Sequence, residues 1–231
     1  MRTFLAVAAG LFLGTQTHAV VINEFVANHV GSDTNEFIEL FGNPLQDFSS
    51  LRVLEIEGDS TSQGTLDRVY VPGVADPFGF FTFALSNQLE NGSLTLLLVD
   101  GFTGNAGTDL DTDNDGVLDV TPWTAILDSV AVFDGGASDL TYSPATLTPG
   151  FDGSSFTVGG ASRIPNGIDT DTPADWVRND FDGFGLPGFP GTPVIGEAIN
   201  TPGAVNNVIV PEPTTLAALG LGLGTLLRRR R

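Results

Sequence analysis

Val20-Val21-Ile22-Asn23-Glu24-Phe25-Val26 and Glu36-Phe37-Ile38-Glu39-Leu40-Phe41 open the body of this 231-residue chain, and their reading decides the fold. Both are short strand-like runs, and the same kind of run recurs at Leu51–Glu57, Arg68–Val71, Gly79–Leu85, Ser93–Val99 and Ile126–Phe133. Glycine, proline, asparagine and aspartate separate them, as turns separate strands. Several alternate with period two: Leu54 and Ile56 against Glu55 and Glu57, Phe81 and Phe83 against Thr82 and Ala84. Ser93–Val99 is nearly all apolar, the pattern of a central strand covered on both faces. No segment before the C-terminal tail carries a sustained helical stripe. Seven short strands with turns between them predict an all-β fold, an immunoglobulin-like antiparallel β-sandwich with long Gly/Pro-rich loops.

The loops are concentrated between Phe133 and Asn206, a stretch dense in glycine and proline. Low complexity of this kind usually means a linker. Phe181, Phe184, Phe189 and Trp176 give it aromatic anchors, so the expectation is an ordered irregular loop lying on the sandwich. Trp123 and Trp176 are candidates for stacking on sugar rings, although burial is the commoner use of an aromatic side chain.

Composition excludes several chemistries. The chain has 28 acidic and 9 basic residues and no lysine, and four of its arginines are the terminal run Arg228–Arg231. Between Val20 and Val210 stand 27 acids against Arg52, Arg68, Arg163 and Arg178, a net charge of −23. Such a surface repels nucleic acid and favours cations. An apolar content of 41% with 17 phenylalanines is too high for a disordered acidic chain. Cysteine is absent and His29 is the one histidine after residue 19, so disulfides, thiol catalysis and cysteine-based metal centres have no ligand atoms.

The two ends read as addresses. Residues 1–19, MRTFLAVAAGLFLGTQTHA, carry one positive charge, an apolar run from Phe4 to Leu13, and a small-x-small site at Thr17-His18-Ala19. That is the anatomy of a signal peptide, with Val20 as the mature N-terminus. At the other end, Pro211-Glu212-Pro213 precedes an apolar run, Thr214–Leu227, and four arginines. Fourteen residues make a helix of about 21 Å, short of a roughly 30 Å hydrocarbon core. The ordered trio resembles the PEP-CTERM sorting signal of Gram-negative bacteria. That resemblance assigns residues 208–231 to sorting, with Pro211, Glu212 and Pro213 as the motif and an exosortase as partner. It implies transient inner-membrane anchoring, then delivery to the cell surface or extracellular matrix, where such families are associated with polysaccharide.

The body, residues 20–207, carries a second resemblance. Val21-Ile22-Asn23-Glu24-Phe25, then Glu36-Phe37-Ile38-Glu39-Leu40 with Asn43-Pro44, is similar to the opening of a lamin tail domain, an immunoglobulin-like sandwich. Asp47–Leu51, Asp128-Ser129-Val130, Ser162–Gly167 and Thr201–Asn206 continue the resemblance in order. The stretches between Gly101 and Thr121 and between Gly135 and Gly160 look like insertions. In the residues themselves, Glu24, Glu36 and Glu39 beside apolar positions suit the acceptance of hydrogen bonds from neighbouring donors.

The sharpest chemical signal lies at 109–119, Asp109-Leu110-Asp111-Thr112-Asp113-Asn114-Asp115-Gly116-Val117-Leu118-Asp119. In a calcium-loop register Asp111, Asp113 and Asp115 hold positions 1, 3 and 5, Gly116 makes the turn, Val117 offers its carbonyl, and Asp119 follows. Four aspartates this close repel one another unless a cation lies between them. Pro122 stands where an EF-hand places its bidentate glutamate, so the pattern is the shorter Asp-x-Asp-x-Asp-Gly loop of extracellular calcium repeats. The alternative is a solvated acidic loop. A second acidic cluster, Asp169, Asp171, Asp175, Asp180 and Asp182, lacks a matching glycine and reads as turn chemistry.

These readings combine into a non-enzymatic exported surface or matrix protein, stiffened by Ca2+ and serving a structural or adhesion role. Two rivals remain open: a secreted hydrolase working on glycans through paired carboxylates such as Glu36 and Glu39, or a glycan-recognition module using Trp123 or Trp176.

Overall fold

The computed structural model describes residues 19–60 and 62–210. The sorting motif and nearly all of the signal segment lie outside them. The described chain is all-β: β1 (Val21–Val26), β2 (Phe37–Phe41), β3 (Leu51–Glu57), β4 (Leu66–Tyr70), β5 (Phe80–Ala84), β6 (Leu94–Asp100), β7 (Ala125–Val132), β8 (Thr146–Leu147), β9 (Gly160–Arg163) and β10 (Trp176–Arg178). One sheet runs β10-β9-β1-β2-β5 and the other β4-β3-β6-β7-β8. All pairs are antiparallel except β7–β8.

The seven expected runs are the first seven strands. Strands β8, β9 and β10 correct the expectation, because each is only two to four residues long and sits in the Gly/Pro-rich part where the sequence predicts loop. Segments this short carry no readable period; β9 exists because β1 offers it an edge, pairing Phe25 with Ala161.

The core between the sheets gathers Ile22, Phe25, Ile38, Leu40, Val53, Leu96, Leu98 and Val130. Ile22 and Phe25 are three residues apart, a spacing that a regular strand sends to opposite faces. An irregularity in the β1–β2 register between Ile22 and Glu24 brings both inward. On β6, Leu94, Leu96 and Leu98 face this core, whereas Leu97 and Val99 face a second cluster with Leu54, Ile56 and Leu66. Both faces of β6 are therefore covered, as its composition predicts.

The outer face of each sheet is roofed by irregular chain. Phe102, Leu110, Leu118 and Trp123 cover β3 and β6. Leu186 and Phe189 pack on Val26 and Phe37 over the other sheet. Glu55, paired by alternation with exposed positions in the sequence, is buried instead, accepting from Tyr70 Oη (2.9 Å) and Glu90 N (2.8 Å).

Candidate metal centre

The Asp-rich segment leaves β6 after Asp100 and returns at Thr124, whose N and Oγ1 both donate to the Asp100 carbonyl. Leu110 is fully buried beneath the loop. Its N donates to Gly64 O (2.9 Å), and its O accepts from Asp119 N (2.8 Å) and Val120 N (3.0 Å), so one backbone unit pins both ends of the aspartate turn. Asn114 and Gly116 adopt positive φ, 56° and 88°, which curls the backbone tightly; these two residue types enter that region at least cost.

The curl brings one carboxylate oxygen from each of Asp111, Asp113 and Asp115 within 4.8 Å of the others. Oxygens bound to one calcium at about 2.4 Å are at most about 4.8 Å apart, so the spacing fits such an ion. Asp111 is buried and pre-oriented: Oδ1 accepts from Asp115 N (3.1 Å), and Oδ2 from Gly116 N (2.9 Å) and Tyr142 Oη (2.9 Å). Asp113 is exposed, and the charge of Asp115 foremost, with smaller contributions from burial, Asp119 and Asp111, holds its carboxyl above the ordinary range. A dication reverses that repulsion.

The remaining two positions of the register are placed differently. Asp119 is close enough to act on Asp113 electrostatically, but its Oδ2 accepts from Thr112 N (3.0 Å) and Oγ1 (2.7 Å). The side chain of Val117 is exposed and its N donates to Asp115 Oδ1 (2.9 Å). Asp109 accepts from Asp111 N (3.2 Å), fixing the entry to the turn. Tyr142 was not legible as part of this site, because nothing in its own surroundings marks a tyrosine 31 residues downstream as a partner of Asp111.

The second acidic cluster has a cation of its own. Arg163 is fully buried, donates to Asp128 Oδ1 (2.7 Å), Asp175 Oδ2 (3.3 Å) and the carbonyls of Ile22 and Ile168, and lies 3.2 Å from Asp169. Its guanidinium also sits 4.5 Å from the ring centre of Trp176. Asp180 serves turns instead, accepting from Phe184 N and Val194 N.

Glu24, Glu36 and Glu39 are buried acceptors. Glu24 takes hydrogen bonds from Asn179 Nδ2 (2.9 Å), Thr201 N (3.0 Å) and Thr201 Oγ1 (3.1 Å). Glu39 takes them from Asn23 Nδ2 (2.9 Å), Thr82 Oγ1 and Gly203 N. Glu36 accepts from Gln88 N (2.6 Å) and Leu89 N (3.3 Å). Asn206 completes the network, donating to the carbonyls of Asn23 and Arg163. The dispersed motifs of the sequence thus meet in one buried lattice. Trp176 is buried, which removes it as a platform for sugars, and Trp123 packs under the Asp-rich segment.

Residues 210–231 match the family model described as the PEP-CTERM protein-sorting motif. That motif implies an exported chain recognised by an exosortase. No curated protein and no solved structure matches the chain.

Proposed function

We propose that this protein is a non-enzymatic component of the cell surface or extracellular matrix, a lamin tail domain-like, immunoglobulin-like sandwich stiffened by Ca2+. The carrying observation is the convergence of Asp111, Asp113 and Asp115 on one small volume, with Asp113 and Asp115 repelling each other. Asp119 and the Val117 carbonyl complete the ligand set once the ion draws them in. The ion then ties the roof of the outer sheet face to β3 and β6 through Leu110. Calcium is plentiful outside cells and the sorting motif sends the chain there, so the site is filled where the protein works. Bound calcium also gives this strongly acidic body a bridge to anionic polysaccharide.

Thermal unfolding of the protein with calcium and then with excess chelator tests the reading. A clear calcium-dependent rise in Tm is expected, since an ion bound by the folded state alone stabilises it. Superimposable melting curves would overturn it.

A further inference from the structure

We propose that the cleft between residues 154–159 and 178–197 is a binding site for a neutral oligosaccharide. Its volume is about 570 Å3, and Ser154, Arg178 and Glu197 connect it to a neighbouring hollow of about 400 Å3, making an extended groove. Each part falls in the roughly 300–1,000 Å3 range of small-ligand sites.

Three aromatic side chains are exposed among the described residues, and two of them, Phe156 (76% exposed) and Phe181 (47%), line this one cleft. Exposed aromatic rings are costly in water, and here two of them line one cleft rather than scattering over the surface. Between them lie polar groups with unused capacity. Among the described residues, the Asn28 side-chain amide, the Ser154 hydroxyl and the Glu197 carboxylate have no hydrogen-bond partner, and the Asn91 side chain uses only its Nδ2, on Asp33. A sugar ring matches this combination, since its C–H face packs on an aromatic surface while its hydroxyl edge both donates and accepts.

Charge decides between neutral and acidic ligands. Asp134 and Glu197 both line the cleft. Among the described residues its one cation, Arg178, is committed: Nε and Nη2 hold Asp152 (2.8 and 3.1 Å) and Nη1 donates to Thr157 O (2.9 Å). An acidic sugar would meet two carboxylates and no free guanidinium. An acyl chain would strip water from those same carboxylates without replacing it. A neutral sugar satisfies them.

The inference does not depend on calcium, because the aspartate loop roofs the other sheet. Calorimetric titration of the protein with cellohexaose, laminarihexaose and maltohexaose, and with hexagalacturonate as the acidic comparison, is the test. Binding of at least one neutral hexasaccharide is expected, weakened about tenfold by Phe156→Ala and by Asn28→Ala at unchanged Tm, and retained by Asp113→Asn. Failure of all three neutral sugars, undiminished binding by Phe156→Ala, or a preference for hexagalacturonate would each overturn it.

Discussion

Glu24 on β1 and Glu39 on β2 are register partners, both fully buried, and both covered by the Thr201–Gly203 backbone. Two carboxylates side by side in a protein interior cannot both ionise cheaply. Burial pushes Glu24 up to about 7. Burial, reinforced by the charge of Glu24, pushes Glu39 up to about 8. Asparagine, threonine and backbone N–H donors surround the pair and reduce the penalty without removing it. The pair therefore keeps a proton at neutral pH and works as a hydrogen-bonded clamp between the first and last segments of the fold.

The sign of the pH dependence follows. Both groups bind protons more tightly folded than unfolded, so their contribution is fully present below about pH 4.5 and is lost as pH rises through 7 and 8. Between pH 5 and 8 the pair should cost the fold on the order of 6 kcal/mol. Glu39→Gln, which mimics the protonated acid, should flatten that slope in urea titrations across this range; an unchanged slope would exclude the pair as its source.

Arg163 should be intolerant of truncation. Removing a fully buried guanidinium leaves Asp128 without its cation, and breaking such a pair costs about 3–5 kcal/mol. Arg163→Ala is expected to unfold at far lower urea concentration than the parent. A shift typical of a surface change would contradict the assigned role.

At the aspartate loop, Asp113→Asn should lower calcium affinity about tenfold or more while leaving stability in chelator nearly unchanged, because Asp113 is exposed and serves no buried contact. Tyr142→Phe separates orientation from ligation. Loss of its bond to Asp111 Oδ2 should cost about 1 kcal/mol in chelator and less in calcium, where the ion itself holds Asp111. Paired melting curves in calcium and chelator decide both.

Leu110→Ala should act on both levels at once. The cavity left in the outer cluster costs about 2–5 kcal/mol, and calcium affinity should fall with it, since the buried Leu110 side chain holds in place the backbone carbonyl that accepts from Asp119 N and Val120 N. Unchanged affinity in a destabilised variant would show that the turn holds its shape without its base.

The legible part of this protein was local. Period-two patterning and turn residues located β1 to β7, because strand character is carried by a few consecutive side chains. The spacing of Asp111, Asp113 and Asp115 marked the curled loop for the same reason, and the terminal motif is read as a linear address. What the sequence left open was decided by partners far apart in the chain. Glu24 meets Asn179 across 155 positions, and Arg163 meets Asp128 across 35. Strands β8 to β10 exist only because finished sheets offer them an edge. Which acids become buried, neutral or paired depends on desolvation by the roofing segments, and the Phe156–Phe181 cleft depends on the docking of two irregular stretches. Sequence determined the first seven strands, the loop and the sorting motif; tertiary packing determined β8 to β10, the charge states and the cleft, because edges and burial are properties of the assembled surface and not of any one segment.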